Sequence, residues 1–166
     1  MTVPLTGSFD EFYRTEWSRV LGLVYALSGS KWAAEDMAQE AFLRAHRDWA
    51  RVAAMDHPGA WVRTVALNLA RSGLRRRGAE FRALRRWIGL EATAFPELES
   101  TSEDFWRVVR SLPRRQAEVV ALHYGDDMAV RDVAAVLGIA ESTVKTSLQK
   151  ARAALATQIG TEGVQP

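Results

Sequence analysis

The stretch Val133–Leu155, VAAVLGIAESTVKTSLQKARAAL, constrains the fold more than any other part of the chain. Two apolar-periodic segments meet at Gly138, a residue free to take the left-handed backbone of a tight turn. Ala134 is small enough for two helices to approach there, and Val133, Leu137, Ile139 and Val144 are placed to lock the second helix onto the first. Val144, Leu148, Ala151 and Leu155 recur at steps of four, three and four, which makes one buried stripe. The opposite face carries Ser142, Thr143, Lys145, Thr146, Gln149, Lys150 and Arg152, with no acid after Glu141 in the stretch. Such side chains donate to phosphates and base edges. The pattern is a helix-turn-helix expected to bind DNA. The plainer reading is a helical hairpin in an ordinary core, but such hairpins seldom leave a face so uniformly basic and hydroxylic.

Helical signals run through nearly all of the remaining chain. Ser8-Phe9-Asp10-Glu11 reads as a capping box, followed by Phe12, Val20, Leu23, Val24 and Leu27 near helical spacing. Gly29-Ser30 breaks the chain, and Ser30 can cap a second helix from Lys31 to about Arg51. Pro58 opens a third, at a position where its missing N–H costs nothing, and Trp61, Val62, Val65, Leu69 and Leu74 give it a buried stripe. After Gly89 the signal weakens: EATAFPELES, Glu91–Ser100, reads as a linker. Thr101-Ser102-Glu103-Asp104 caps the next helix, Pro113 restarts the chain, and the opening pair of helices follows. The expected fold is all-α. It consists of two small helical domains, 1–88 and 101–166, joined by an acidic linker, 89–100, with the helix-turn-helix in the second domain. At about 3.3 Å per residue, an extended Trp87–Ser100 segment would reach roughly 45 Å, far enough for two modules to touch separate parts of one long partner.

Charge distribution says more than the formal total of +2. Trp61–Arg86 holds eight arginines and one acid, Glu80, whereas Glu91–Asp104 holds five acids and no base. A basic block beside an acidic one points to a polyanionic partner and a separate, solvated connector. The absence of cysteine excludes disulfides, thiolate metal sites and a cysteine nucleophile. No apolar run approaches membrane-spanning length and no signal segment opens the chain, so a cytoplasmic location is expected.

Two longer segments carry a family resemblance. FDEFYRTEWSRVLGLVYALSGSKWAAEDMAQEAFLRAHRDW followed by HPGAWVRTVALNLARSGLRRR resembles the promoter-melting domain of RNA polymerase sigma factors. LPRRQAEVVALHYGDDMAVRDVAAVLGIAESTVKTSLQKARAAL resembles the last domain of the same sigma-70 family. The order and size are similar to the extracytoplasmic-function (ECF) group, with an actinobacterial SigE-like flavour. The resemblance implies that Asp36, Gln39 and Glu40, on one face of a helix, hold the β′ clamp helices of core RNA polymerase, while Ala38, Ala41, Phe42 and Ala45 face inward. It implies −10 contacts from Asn68, whose amide can bond a base edge in two directions, and from Arg63, Arg71, Arg75, Arg76 and Arg77 toward phosphates. It turns Lys145, Thr146 and Gln149 toward the −35 bases, with Ser142 and Thr143 near the backbone and Lys150 and Arg152 on phosphates. The implied partners are core RNA polymerase through the clamp helices and the β flap, promoter DNA, and an anti-sigma factor. No small-molecule substrate, cofactor or metal is expected.

Trp61 could stack on an exposed base, but its spacing suits the core better. Three departures from the family stand out. Ser147 occupies a position where many relatives have arginine, which leaves one cation fewer and implies a different −35 preference. Ala129 and Ala140 replace the usual capping residues, and Asp127 and Ser142 are placed to compensate by shifting the helix starts. A stand-alone LuxR-type regulator also carries an LGI…STVK pattern, but that reading leaves the Asp36–Phe42 motif unexplained. An enzyme finds no support: His46, His57 and His123 lie far apart, with no nucleophile or carboxylate at working spacing.

Overall fold

The computed structural model describes the backbone of residues 7–88 and 100–162 and the side chains of 7–73 and 103–160. Among these residues the structure is helical throughout, with no strand. Helix α1, Phe9–Ser28, starts where the Ser8 hydroxyl accepts the Glu11 amide at 3.3 Å. It stops at Gly29, whose φ of 67° turns the chain out of the helix while its N–H still reaches the Tyr25 carbonyl. Helix α2, Lys31–Arg47, is capped by Ser30, which accepts from the Ala33 amide at 3.3 Å.

The sequence predicts one continuous helix as far as Arg51, but the structure breaks it at Asp48. A five-residue helix α3, Trp49–Ala53, follows after Asp48 leaves the helical conformation, at φ -106° and ψ 26°. The break lets Trp49 turn back onto Phe9 and Phe12, at centroid distances of 5.5 and 5.1 Å. Helix α4, Pro58–Ile88, begins at the proline as expected.

Helices α1, α2 and α4 form the first core. Phe12, Val20 and Val24 pack on Ala34, Met37, Ala38, Ala41, Phe42 and Ala45, with Val62, Ala66 and Ala70 closing the third side. The alanines of α2 have no bulk to hold neighbouring helices apart, so both partners approach closely. Trp61 is half-buried against this core, and the Arg51 guanidinium lies 5.8 Å from its ring centroid.

The C-terminal half comprises α5, Ser100–Ser111; α6, Arg114–Val120; a π-helical turn, Ala121–Gly125; α7, Val130–Leu137; and α8, Glu141–Glu162. The predicted stripe on α8 is fully inward: Val144, Leu148, Ala151 and Leu155 are all buried. At about 1.5–3 kcal/mol for each large apolar side chain, such a stripe is enough to fix the helix. Gly125 ends the π turn where a Cβ would lie 3.0 Å from the Trp106 ring of α5, so any side chain there requires that ring to give by a few tenths of an ångström.

The two halves are docked on each other. Leu23 and Ala26 of α1 and Leu67 of α4 share one apolar cluster with Val119, Leu122, Val133 and Val136. The apolar face of α1 thus divides, with Val20 and Val24 facing their own bundle and Leu23 and Ala26 facing the C-terminal half.

Candidate nucleic-acid interface

The turn of the helix-turn-helix is built as its sequence requires. Gly138 has φ 64°, and its N–H closes α7 on the Ala134 carbonyl. A Cβ there would meet nothing within 4 Å, so backbone conformation alone selects glycine. The two alanine positions stay uncompensated. Ala129 takes the extended N-cap conformation of α7 with no side-chain bond, and Asp127 sits at φ 57° instead of starting the helix. The Ala140 carbonyl accepts the Thr143 and Val144 amides at 3.0 and 3.2 Å, which leaves Ser142 inside α8 instead of capping it.

Ser142, Thr143, Lys145, Thr146, Gln149, Lys150 and Arg152 all lie exposed along one side of α8. Arg152 is held in place by Tyr124, which accepts from its Nε and lies under its guanidinium, 5.6 Å from the ring centroid. Tyr124 is itself exposed and sits edge-on to His123, whose Nδ1 is 2.7 Å from the Met128 carbonyl. Sequence reasoning missed this support, although the aromatic immediately before Gly125 was its visible trace. Ser147 is buried instead of outward, at the base of an open groove lined by Pro113, Arg115, Gln116, Thr143, Thr146 and Lys150. An arginine at that position would issue from the groove between α6 and α8, not from the outer face.

In the N-terminal half, Asp36 and Gln39 are exposed and Glu40 is half-exposed on the outward stripe of α2, with exposed Trp32 and Leu43 on the same stripe. Glu40 pairs with Arg44 at 2.9 Å. The arginines of α4 are not gathered on one free surface. Arg63 is only 5% exposed; it bonds to Asp126 through Nε, to the Gly59 carbonyl at 2.9 Å, and pairs with Glu16 at 2.8 Å. Burial acts to lower its pKa, but bonding to Asp126, the charge of Asp126 and then Glu16 outweigh it and raise the pKa. Arg71 grips Glu118 with both ends of its fork, at 2.6 and 2.9 Å, and that hydrogen bonding raises its pKa against the burial. The exposed Asn68 accepts a further bond from Arg71 at 3.1 Å. The side chains of Arg75, Arg76 and Arg77 and the linker residues 89–99 lie outside the described residues.

Two of the three histidines have structural partners: His46 meets the Phe9 ring edge-on and His123 approaches the Met128 carbonyl, while His57 is exposed. Among the described residues no cluster of three metal-ligating side chains occurs, and no helix is long and apolar enough to cross a membrane.

Two helical modules, the second a helix-turn-helix with an exposed basic and hydroxylic side on α8, place the chain among helix-turn-helix proteins. Residues 12–80 match the model of sigma-70 region 2 and residues 102–155 that of sigma-70 region 4. The ECF RNA polymerase sigma factor EcfG of Rhodopseudomonas palustris is 28% identical over 171 residues, covering 98% of this chain and 91% of that protein. The probable RNA polymerase sigma factor RfaY of Xanthomonas campestris is 28% identical over 152 residues, 84% of this chain but 37% of that longer protein. Among solved structures, the sigma factor RpoE of Bartonella quintana, in complex with the anti-sigma factor NepR, shares the fold. Its TM-score is 0.75 at 22% identity, covering 92% of this chain and 96% of that one. The chain belongs to the sigma-70 family, in its ECF group. It is a sigma factor, a DNA-binding initiation factor that joins core RNA polymerase and directs promoter recognition and opening. The stand-alone regulator reading is not favoured, because it leaves the region 2 match at residues 12–80 without a role.

Proposed function

We propose a division of labour among residues within this activity. Residues 1–88 act as the core-binding and −10 domain, 89–100 as the connector and 101–166 as the −35 domain. Asp36, Gln39 and Glu40 engage the β′ clamp helices, and the C-terminal domain engages the β flap. Arg63, Asn68, Arg71, Arg75, Arg76 and Arg77 serve the −10 element. Ser142, Thr143, Lys145, Thr146, Gln149, Lys150 and Arg152 read the −35 element. The observation that carries the reading is the exposed side of α8, basic and hydroxylic with no acid between Glu141 and Leu155, set on a fully buried stripe. Two modest contacts on one tether multiply each other's effect, so neither needs to be strong alone.

Within the family we assign the chain to the SigE-like actinobacterial subfamily, place it in the cytoplasm, and propose an anti-sigma factor as its regulator. The last proposal draws support from the structurally similar RpoE, which was solved in complex with its anti-sigma factor. The test is reconstitution with core RNA polymerase. The protein should start transcription from cognate promoters, and Lys145→Ala and Gln149→Ala should relax −35 choice by about 1–3 kcal/mol per lost base contact. No initiation on any cognate promoter would sink the reading. Pulldown of the tagged protein from its host should bring core subunits and identify any regulator.

A further inference from the structure

We infer that Tyr124 is a positioning residue for the −35 contact: its phenol holds the Arg152 guanidinium in place for a DNA phosphate and leaves the arginine's charge uncancelled. This rests on the phosphate role proposed for Arg152. Lys145, Gln149 and Arg152 stand at steps of four and three and share the outer side of α8. At about 1.5 Å per residue, Arg152 lies roughly 10 Å along the helix axis from Lys145. That is close to the roughly 12 Å width of a major groove, so with Lys145 over base edges Arg152 falls at the groove wall, where the phosphates run.

Among the described residues Tyr124 is the only group bonded to Arg152. The Arg152 Nε donates to the Tyr124 hydroxyl, and the guanidinium carbon lies 5.6 Å from the ring centroid. Engaging Nε leaves the two terminal nitrogens as an end-on fork for two phosphate oxygens. The chemistry of the holder decides what the fork can do. Arg63 and Arg71 are held by Asp126 and Glu118, carboxylates that offset their charge. A phenol accepts a hydrogen bond without carrying a charge, so Arg152 is oriented and remains a full cation toward DNA. An unheld arginine gives up rotamer freedom when it binds, whereas here that freedom is already restricted in the folded chain. Tyr124 is itself braced although 47% exposed: His123 meets its ring edge-on at 4.8 Å, and the His123 Nδ1 lies 2.7 Å from the Met128 carbonyl.

The test uses the full chain and a labelled duplex of about 30 base pairs and arbitrary sequence, since a phosphate contact does not depend on base identity. Arg152→Ala should weaken binding about tenfold and lower the slope of log affinity against log salt by about 0.9, the mark of one lost phosphate contact. Tyr124→Phe removes only the acceptor oxygen, and should weaken binding about threefold with salt slope and helix content kept. In the Arg152→Ala background the same change should leave affinity unaltered, which a merely structural role would not produce. Tyr124→Phe binding as tightly as the parent overturns the inference and leaves Arg152 on its phosphate. An equal loss from Tyr124→Phe with and without Arg152 also overturns it, because Tyr124 would then act by itself. If Arg152→Ala binds like the parent with an unchanged slope, the phosphate role of Arg152 fails and the inference with it.

Discussion

At the residue scale, the turn glycine and the missing caps make separable predictions. Gly138→Ala places a side chain at φ 64° with open space around it, so its cost is conformational strain alone, about 1–2 kcal/mol in urea unfolding. A loss far above that would mean the space is not open. Ala140→Ser supplies an acceptor for the first turn of α8 and should stabilise by about 1 kcal/mol, read as a higher melting temperature. No gain would show that the turn amides are already served. Gly138 was legible in the sequence because a left-handed position selects one residue type. Ser147 was not, because it stands at the margin of the α8 stripe, where a small polar residue fits either side of the boundary.

At the element scale, α2 shows how one helix serves packing and docking with opposite faces. Phe42 is 2% exposed and packs among Phe12, Tyr13 and Trp17, so Phe42→Ala should cost about 3–5 kcal/mol in chemical denaturation. Its neighbour Leu43 is exposed, and Leu43→Ala should leave stability nearly unchanged. Similar losses from both would contradict the assignment of faces. Both ends of α1 and the start of α2 could be read from Ser8, Gly29 and Ser30, since caps are local chemistry. The break at Asp48 could not. Asp48 makes no side-chain cap to α3, and the bend is imposed by the packing of Trp49 on Phe9 and Phe12, which is tertiary.

At the scale of the whole molecule, the docking of the halves was hidden in the sequence because its partners have no period. Arg63 and Asp126 are 63 residues apart, Arg71 and Glu118 are 47 apart. One local trace existed: Glu118 is the single acid in the apolar run Ala117–Leu122 and faces inward, which a buried charge does only with a partner. Tyr25 reports the same interface from its edge. Burial first, then the charge of Glu103, to which it donates at 3.4 Å, raise its pKa above the ordinary phenol value. The docked form therefore binds the phenolic proton more tightly. Its contribution to docking is complete below about pH 10 and is lost as pH climbs through the raised value. Spectrophotometric titration should find Tyr25 ionising at lower pH in Glu103→Gln than in the parent chain, and identical titrations would contradict the contact. The π-helical turn Ala121–Gly125 adds a genetic consequence. Such a turn is one residue inserted into a helix, and here it ends on the residue before Asp126. Asp126 caps this turn, its N–H reaching the Ala121 carbonyl at 3.0 Å, so a deletion of one residue within Ala121–Gly125 would withdraw the capping residue that meets Arg63. The ion pair between the halves thus depends on the length of a five-residue turn that lies outside both helices of the helix-turn-helix.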